Sequence, residues 1–234
     1  MSGQKWLLLD FDNTIMATEK YMLPSLIARF NELYGERISQ LLDLQQFHEH
    51  FQGQVRESLC RKMSEHFGFH VIYEDLFDAR EWRVMQHLQS IPGGVEIAPG
   101  LIEALYQLQQ KNWRFAVVSN NAVGRYVTAM RFAEQGRGEE LLRFFGTSLF
   151  EAGDVHKPKP DPYVRAMQQL NARAADCIVV EDSITGVQSG VVAGARVYGY
   201  TGLAEHLQTQ SEKLLAAGCV ACFDDWRLFP DMIR

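Results

Sequence analysis

Trp6-Leu7-Leu8-Leu9-Asp10-Phe11-Asp12-Asn13-Thr14 decides the fold. A short apolar run ends abruptly on an aspartate, as in a strand buried on both faces and closed by a polar loop. A lone buried strand leaves its backbone N–H and C=O groups without partners, so Trp6–Leu9 must pair with strands elsewhere in the chain.

Its partners lie beyond Lys111. Arg114–Val118, Thr147–Phe150, Cys177–Val180, Arg196–Tyr200 and Val220–Phe223 are apolar runs of the same kind. Tyr126–Phe132, Pro162–Leu170 and Gly186–Ala193, between them, have helical character. Strands alternating with helices predict βαβ units and a parallel sheet with covered faces. The intervening stretch has another period. Leu23, Leu26, Ile27, Phe30 and Leu33 fall at helical spacing; so do Leu59, Met63 and Phe67, and Trp82, Met85 and Leu88. The expected fold is therefore α/β. Residues 1–16 and 95–234 form a Rossmann-like parallel-sheet core, and residues 17–94 an all-helical domain inserted after the first strand. Ile15–Thr18 reads as the outgoing connection; Pro92-Gly93-Gly94 and Pro99-Gly100 mark the return.

In an open parallel sheet, ligands bind beyond the carboxyl ends of the strands. Those ends carry Asp10-Phe11-Asp12-Asn13-Thr14, then Ser119-Asn120-Asn121, and Glu181-Asp182-Ser183, with His156-Lys157-Pro158-Lys159-Pro160-Asp161-Pro162 in a loop. Carboxylates gathered on one edge repel unless a cation sits among them. Hard oxygen donors suit Mg²⁺, which bridges one or two carboxylates to a substrate phosphate. Asp10 could attack phosphorus and form an aspartyl-phosphate. Asp12 could protonate a leaving alcohol and then activate water. Ser119 offers a donor to a phosphoryl oxygen, and Lys157 a charge that offsets the transition state.

Together these four ordered motifs resemble those of the haloacid dehalogenase superfamily, and the similarity runs from Trp6 to about Leu228. The helical insert resembles the type 1 cap of the subfamily that includes phosphoglycolate phosphatase and β-phosphoglucomutase. The resemblance implies that Asp10 is the nucleophile and a metal ligand, and Asp12 the general acid/base whose backbone carbonyl also meets the metal. Thr14 would steady the loop. Ser119 and the backbone of Asn120 would hold the phosphoryl group, with Lys157 pairing nucleophile and phosphate. Asp182 would bind the metal, with Glu181 as a further ligand. Gly53-x-x-Arg56 resembles the cap loop that sends an arginine toward a sugar phosphate, although an exposed helix arginine fits the same residues. Asn13 stands where many members carry Gly, and Asn tolerates the left-handed backbone such a turn needs. Members that act as 2-haloacid dehalogenases lack the second aspartate, so Asp12 favours phosphate chemistry.

The implied activity is Mg²⁺-dependent hydrolysis of a small phosphomonoester, a sugar phosphate or a phosphoglycolate-like acid. A phosphomutase acting on a sugar phosphate is the alternative within the fold, and a non-catalytic binding module the one outside it. Each motif alone has a plainer account. Ser119-Asn120-Asn121 and Glu181-Asp182-Ser183 could simply cap helices, Pro160 and Pro162 bracket a helix start, and His156 and Lys159 suit a solvent-facing loop. Thr18, Glu19 and Lys20 stay open as residues near the site.

Composition agrees. The 234 residues carry 29 acidic and 23 basic side chains, a formal charge of −6, with 47% hydrophobic and 22% charged residues. This is a soluble globular composition, and its acidity argues against nucleic acid as a partner. Trp6–Leu9 falls short of the about 7–15 apolar residues of a signal segment or the about 20 of a membrane span. Cys60, Cys177, Cys219 and Cys222 are too sparse for a disulfide scaffold. Cys219-x-x-Cys222 reads as small core residues beside a strand, with redox or metal chemistry as the other reading. The expected setting is the cytoplasm, without a membrane partner.

Overall fold

Residues 3–51, 56–78 and 80–233 are described by the computed structural model, apart from the side chains of His48, Arg56 and Glu57. Six strands form one sheet: β1 (Lys5–Leu9), β2 (Trp113–Ser119), β3 (Leu149–Glu151), β4 (Cys177–Glu181), β5 (Arg196–Tyr200) and β6 (Ala221–Phe223). The helices are α1 (Glu19–Tyr34), α2 (Leu44–Phe51), α3 (Arg56–Phe67), α4 (Tyr73–Phe77), α5 (Arg80–Gln89), α6 (Leu101–Gln110), α7 (Val123–Arg131), α8 (Gly138–Phe145), α9 (Asp161–Gln169), α10 (Ile184–Val192), α11 (Leu207–Ala217) and α12 (Phe229–Met232).

The strand order is β3-β2-β1-β4-β5-β6, and every pair is parallel. The strand that opens the sequence is thus central. Leu7 lies opposite Phe115 on one side and Ile178 on the other. With both faces covered, a central strand is apolar at every position, which is why Trp6–Leu9 shows no alternation. The chain steps from β1 through β2 to β3 on one side and from β4 through β5 to β6 on the other. In such a sheet the crevice lies at the carboxyl ends of the strands where the order reverses, here β1 and β4. The third strand runs Leu149–Glu151, displaced from the expected Thr147–Phe150, and α7 begins at Val123, ahead of Tyr126.

The chain divides into two compact units, Met1–Thr18 with Ile91–Arg234, and Glu19–Ser90. In the first, Leu8, Val118, Tyr163, Val179, Val187 and Val197 pack one core between sheet and helices. In the second, whose described regular elements are all helices, Phe30, Phe51, Met63, Val71 and Leu76 form a separate core. There the Tyr34 hydroxyl accepts from Ile72 N at 3.0 Å. Among the described residues, no helix is long and apolar enough to cross a membrane.

The segments flanking the helical unit are tied together within the first unit. Met16 forms bridges with both Asp12 and Ile97. Ala17 N donates to Glu96 O and Ala98 N to Ile15 O, each at 2.9 Å.

Candidate active site

Register brings the first two motifs beside the fourth. Leu9 is opposite Val117 and Val180, so Asp10 emerges between Val118 and Glu181, its N donating to Val180 O at 3.0 Å. The chain then turns tightly, with Ile15 N donating to Phe11 O at 3.0 Å. Asn13 takes a φ of 55°, the left-handed conformation expected of it. The Trp226 indole, from the far end of the chain, donates to Thr14 O at 3.2 Å and fixes the turn from behind.

Lys157 arrives in this gap from the loop before α9, its side chain 2% exposed. Its Nζ donates to Asp10 Oδ1 at 2.5 Å, Glu181 Oε1 at 2.6 Å and Val118 O at 2.7 Å. Three partners use all three ammonium donors. Burial alone would lower its pKa; the Asp10 and Glu181 carboxylates outweigh burial and raise it, so the group is a cation. Glu181 is fully buried and also accepts from the Tyr163 hydroxyl at 2.7 Å and Ser183 Oγ at 3.1 Å. Burial first, then the Glu181 carboxylate, hold the Tyr163 phenol well above its ordinary value, so it remains a donor.

One ammonium faces a surplus of carboxylates. Burial pushes Asp10 well above the usual carboxylate range; Lys157 opposes this, while Glu181 and Asp12 add to it. One oxygen each from Asp10, Glu181 and Asp182 lies within 4.8 Å of the others. Among the described residues this is the one group of three or more side chains arranged to hold a metal ion, so Cys219 and Cys222 belong to no such group. An all-oxygen, anionic and partly buried donor set fits a hard divalent cation.

Asp12 lies on the other side of the turn. Thr18 Oγ1 donates to its Oδ1 and Asn121 Nδ2 to its Oδ2. Thr18, one of the three residues left open by the sequence, is 1% exposed and bonded to Asp12. Arg125 Nη2 is 3.7 Å from Asp12 Oδ1. Ser119 accepts from Asn121 N at 3.1 Å, and the Asn120 side chain accepts from Lys157 N at 3.0 Å, linking two motif loops. Thr14 Oγ1 donates to Asp182 Oδ1 at 3.4 Å, and Gln210 Nε2 to Asp182 O at 2.5 Å.

The structure thus gathers Asp10, Asp12, Ser119, Asn120, Lys157, Glu181 and Asp182 at one sheet edge. Arg56 is the first residue of α3; its side chain, like the whole of Gly53, lies outside the described residues. Sequence reasoning did not single out Tyr163, Arg125, Gln210 or Trp226, and it read Asn121 only as part of the Ser119-Asn120-Asn121 loop.

The family profile described as haloacid dehalogenase-like hydrolase matches residues 4–194. The chain belongs to the haloacid dehalogenase-like hydrolases. Among relatives of this hydrolase, Protein CbbY of Rhodobacter capsulatus is 26% identical over 97% of the chain and 93% of that protein. The 6-phosphogluconate phosphatase of Escherichia coli is 38% identical over 25% of the chain and 27% of its own length. The match spans only about a quarter to just over a third of the length of three curated relatives, that phosphatase among them. A solved structure, a putative β-phosphoglucomutase from Thermotoga maritima, shares its fold with a TM-score of 0.75 at 20% identity, covering 98% of each chain.

Proposed function

We propose that this haloacid dehalogenase-like hydrolase is a Mg²⁺-dependent phosphatase of a small phosphomonoester metabolite, a sugar phosphate or a phosphoglycolate-like acid. The observation that carries the reading is Lys157 Nζ seated 2.5 Å from Asp10 and 2.6 Å from Glu181, beside Asp182, at the carboxyl ends of adjacent strands. A buried carboxylate paired to a buried cation is held in one orientation, as a nucleophile must be.

Asp10 attacks phosphorus in line, forming the aspartyl-phosphate as the ester P–O bond breaks. Asp12 gives its proton to the departing alkoxide oxygen and then takes one from the water that cleaves the intermediate. Ser119, whose oxygen accepts from Asn121 N, donates a hydrogen bond through its O–H to a phosphoryl oxygen, as does the backbone N–H of Asn120. Lys157 compensates the charge that Asp10 brings against the phosphate. Asp10 and Asp182, with the backbone carbonyl of Asp12 and Glu181 at the buried end, would hold Mg²⁺. Bound there, the ion supplies charge neutralisation between carboxylate and phosphate. The helical unit serves as the cap that selects substrate, and Arg56 is its proposed specificity residue.

The test is phosphate release from sugar phosphates and phosphoglycolate, with and without Mg²⁺, beside Asp10→Asn. Metal-dependent release that Asp10→Asn loses supports the reading. Release that survives in Asp10→Asn overturns the nucleophile. Isomerisation of a sugar phosphate that depends on glucose 1,6-bisphosphate, without net release, overturns phosphatase in favour of phosphomutase.

A further inference from the structure

Arg125 is a buried cation that the reaction above does not use. It sits in the first turns of α7 and is 4% exposed. A guanidinium in such a place is costly unless paired. Two of its contacts are on the site loops: Nη1 donates to Asn121 Oδ1 at 2.8 Å, and Nη2 lies 3.7 Å from Asp12 Oδ1.

The chemistry of the amide gives this contact a direction. A guanidinium can only donate, so it accepts nothing from Asn121 and holds the carbonyl end of that amide. The NH₂ end is then turned toward Asp12, where Nδ2 donates to Oδ2. Rotated by half a turn, the same amide would set its oxygen against the carboxylate, which repels. Thr18 occupies the other oxygen, Oδ1. Asp12 is therefore clamped by a hydroxyl and by an amide whose orientation a third residue sets.

We propose that Arg125 is a positioning residue for the general acid/base, acting on Asp12 through the Asn121 amide. The proposal rests on Asp12 having that role. Its consequence is selective. An acid in the wrong orientation matters when the leaving group needs a proton, as an alkoxide does, and little when it departs as a stable phenolate.

The experiment compares kcat/KM on p-nitrophenyl phosphate and on glucose 6-phosphate, with Mg²⁺, in the full chain. Asp12→Asn is the reference and should lose about 10²–10⁴-fold on glucose 6-phosphate, and far less on the aryl ester. Arg125→Gln should lose about ten- to a hundredfold on glucose 6-phosphate, the cost of a misplaced group, with the aryl ester nearly unchanged. Gln can accept as well as donate, so it no longer fixes the amide; Arg125→Lys, which restores a donor-only group facing Asn121, should recover part of that loss. In an Asn121→Ala background, Arg125→Gln should add little. Equal losses on both substrates in Arg125→Gln and Arg125→Lys, with Asp12→Asn selective, overturn the positioning role and leave the acid in place. Asp12→Asn without selectivity overturns the acid and the proposal with it. Full additivity with Asn121→Ala overturns the route through the amide.

Discussion

Glu181 and Gly186 are in contact across the start of α10: a Cβ at Gly186 would lie 1.9 Å from the Glu181 carboxyl carbon and 2.0 Å from either oxygen. The position therefore admits no side chain while Glu181 keeps its bonds to Lys157, Tyr163 and Ser183. Gly186→Ala must push the carboxylate off Lys157 or shift α10. Overpacking of this kind costs about 1–3 kcal/mol. We expect a lowered midpoint in urea unfolding together with reduced phosphate release; a variant that retains parental stability and rate would contradict the contact.

Lys157 separates two buried carboxylates, so its removal exposes each to the other. Lys157→Met should destabilise by about 3–5 kcal/mol, as when one partner of a buried ion pair is deleted. The penalty comes from the carboxylates left behind. Adding Glu181→Gln should therefore cost less in the Lys157→Met chain than in the parent, which a double-mutant cycle by urea unfolding measures.

Asp10, Glu181 and Asp182 bind a divalent cation in the proposed reading, and a ligand of the folded state stabilises it. At a concentration about 100 times its Kd, Mg²⁺ should add about 2.7 kcal/mol. In a chain of this size that corresponds to a Tm rise of about 5–10 °C. Asp182→Asn should abolish most of the rise without a matching loss in metal-free stability. Calorimetry of both proteins, with Mg²⁺ or with a chelator, checks it. An equal rise in the variant would place the ion elsewhere.

Thiol burial predicts alkaline sensitivity. Burial pushes the Cys177 thiol from 9.0 up to about 11, and the Cys219 thiol from 9.0 up to about 12, the latter helped by the hydrogen bond with Cys222. Between those values the folded chain keeps protons that the unfolded chain has released, so stability falls as pH rises. Below pH 9.0 both states hold the proton and the slope vanishes. Thermal unfolding from pH 8 to pH 11, on the order of one measurement per unit, should show this decline. Cys177→Ala should flatten it, even if the variant is less stable throughout. An unchanged slope would show that Cys177 does not contribute.

The central strand and three of the four reactive loops were legible because β1, β2 and β4 are buried on both faces, so uninterrupted apolar runs end sharply at their carboxyl ends. Asp10, Ser119 and Glu181 follow or close those runs, and a parallel register then brings Asp10 and Glu181 together without further information. α11 was not anticipated: of its residues only Leu214 is buried, which leaves no apolar stripe to read. The clamp on Asp12 and the Tyr163 bond to Glu181 were hidden for another reason. Arg125 and Tyr163 are polar-tipped residues on helices, a pattern shared with surface positions, and only tertiary packing turns them inward. Trp226 meets Thr14 from across the chain, a separation no local pattern encodes.

The bridges Asp12–Met16 and Met16–Ile97 give the sheet-bearing unit a closed neck. The main chain leaves and returns through that neck, so the fold of the reactive edge is topologically indifferent to what the loop of Glu19–Ser90 contains. A foreign helical module could be grafted between the two bridged segments with the sheet and its loops left whole. Natural divergence has the same freedom: the module can drift, lengthen or be exchanged, while the sheet and its motif loops are inherited unaltered.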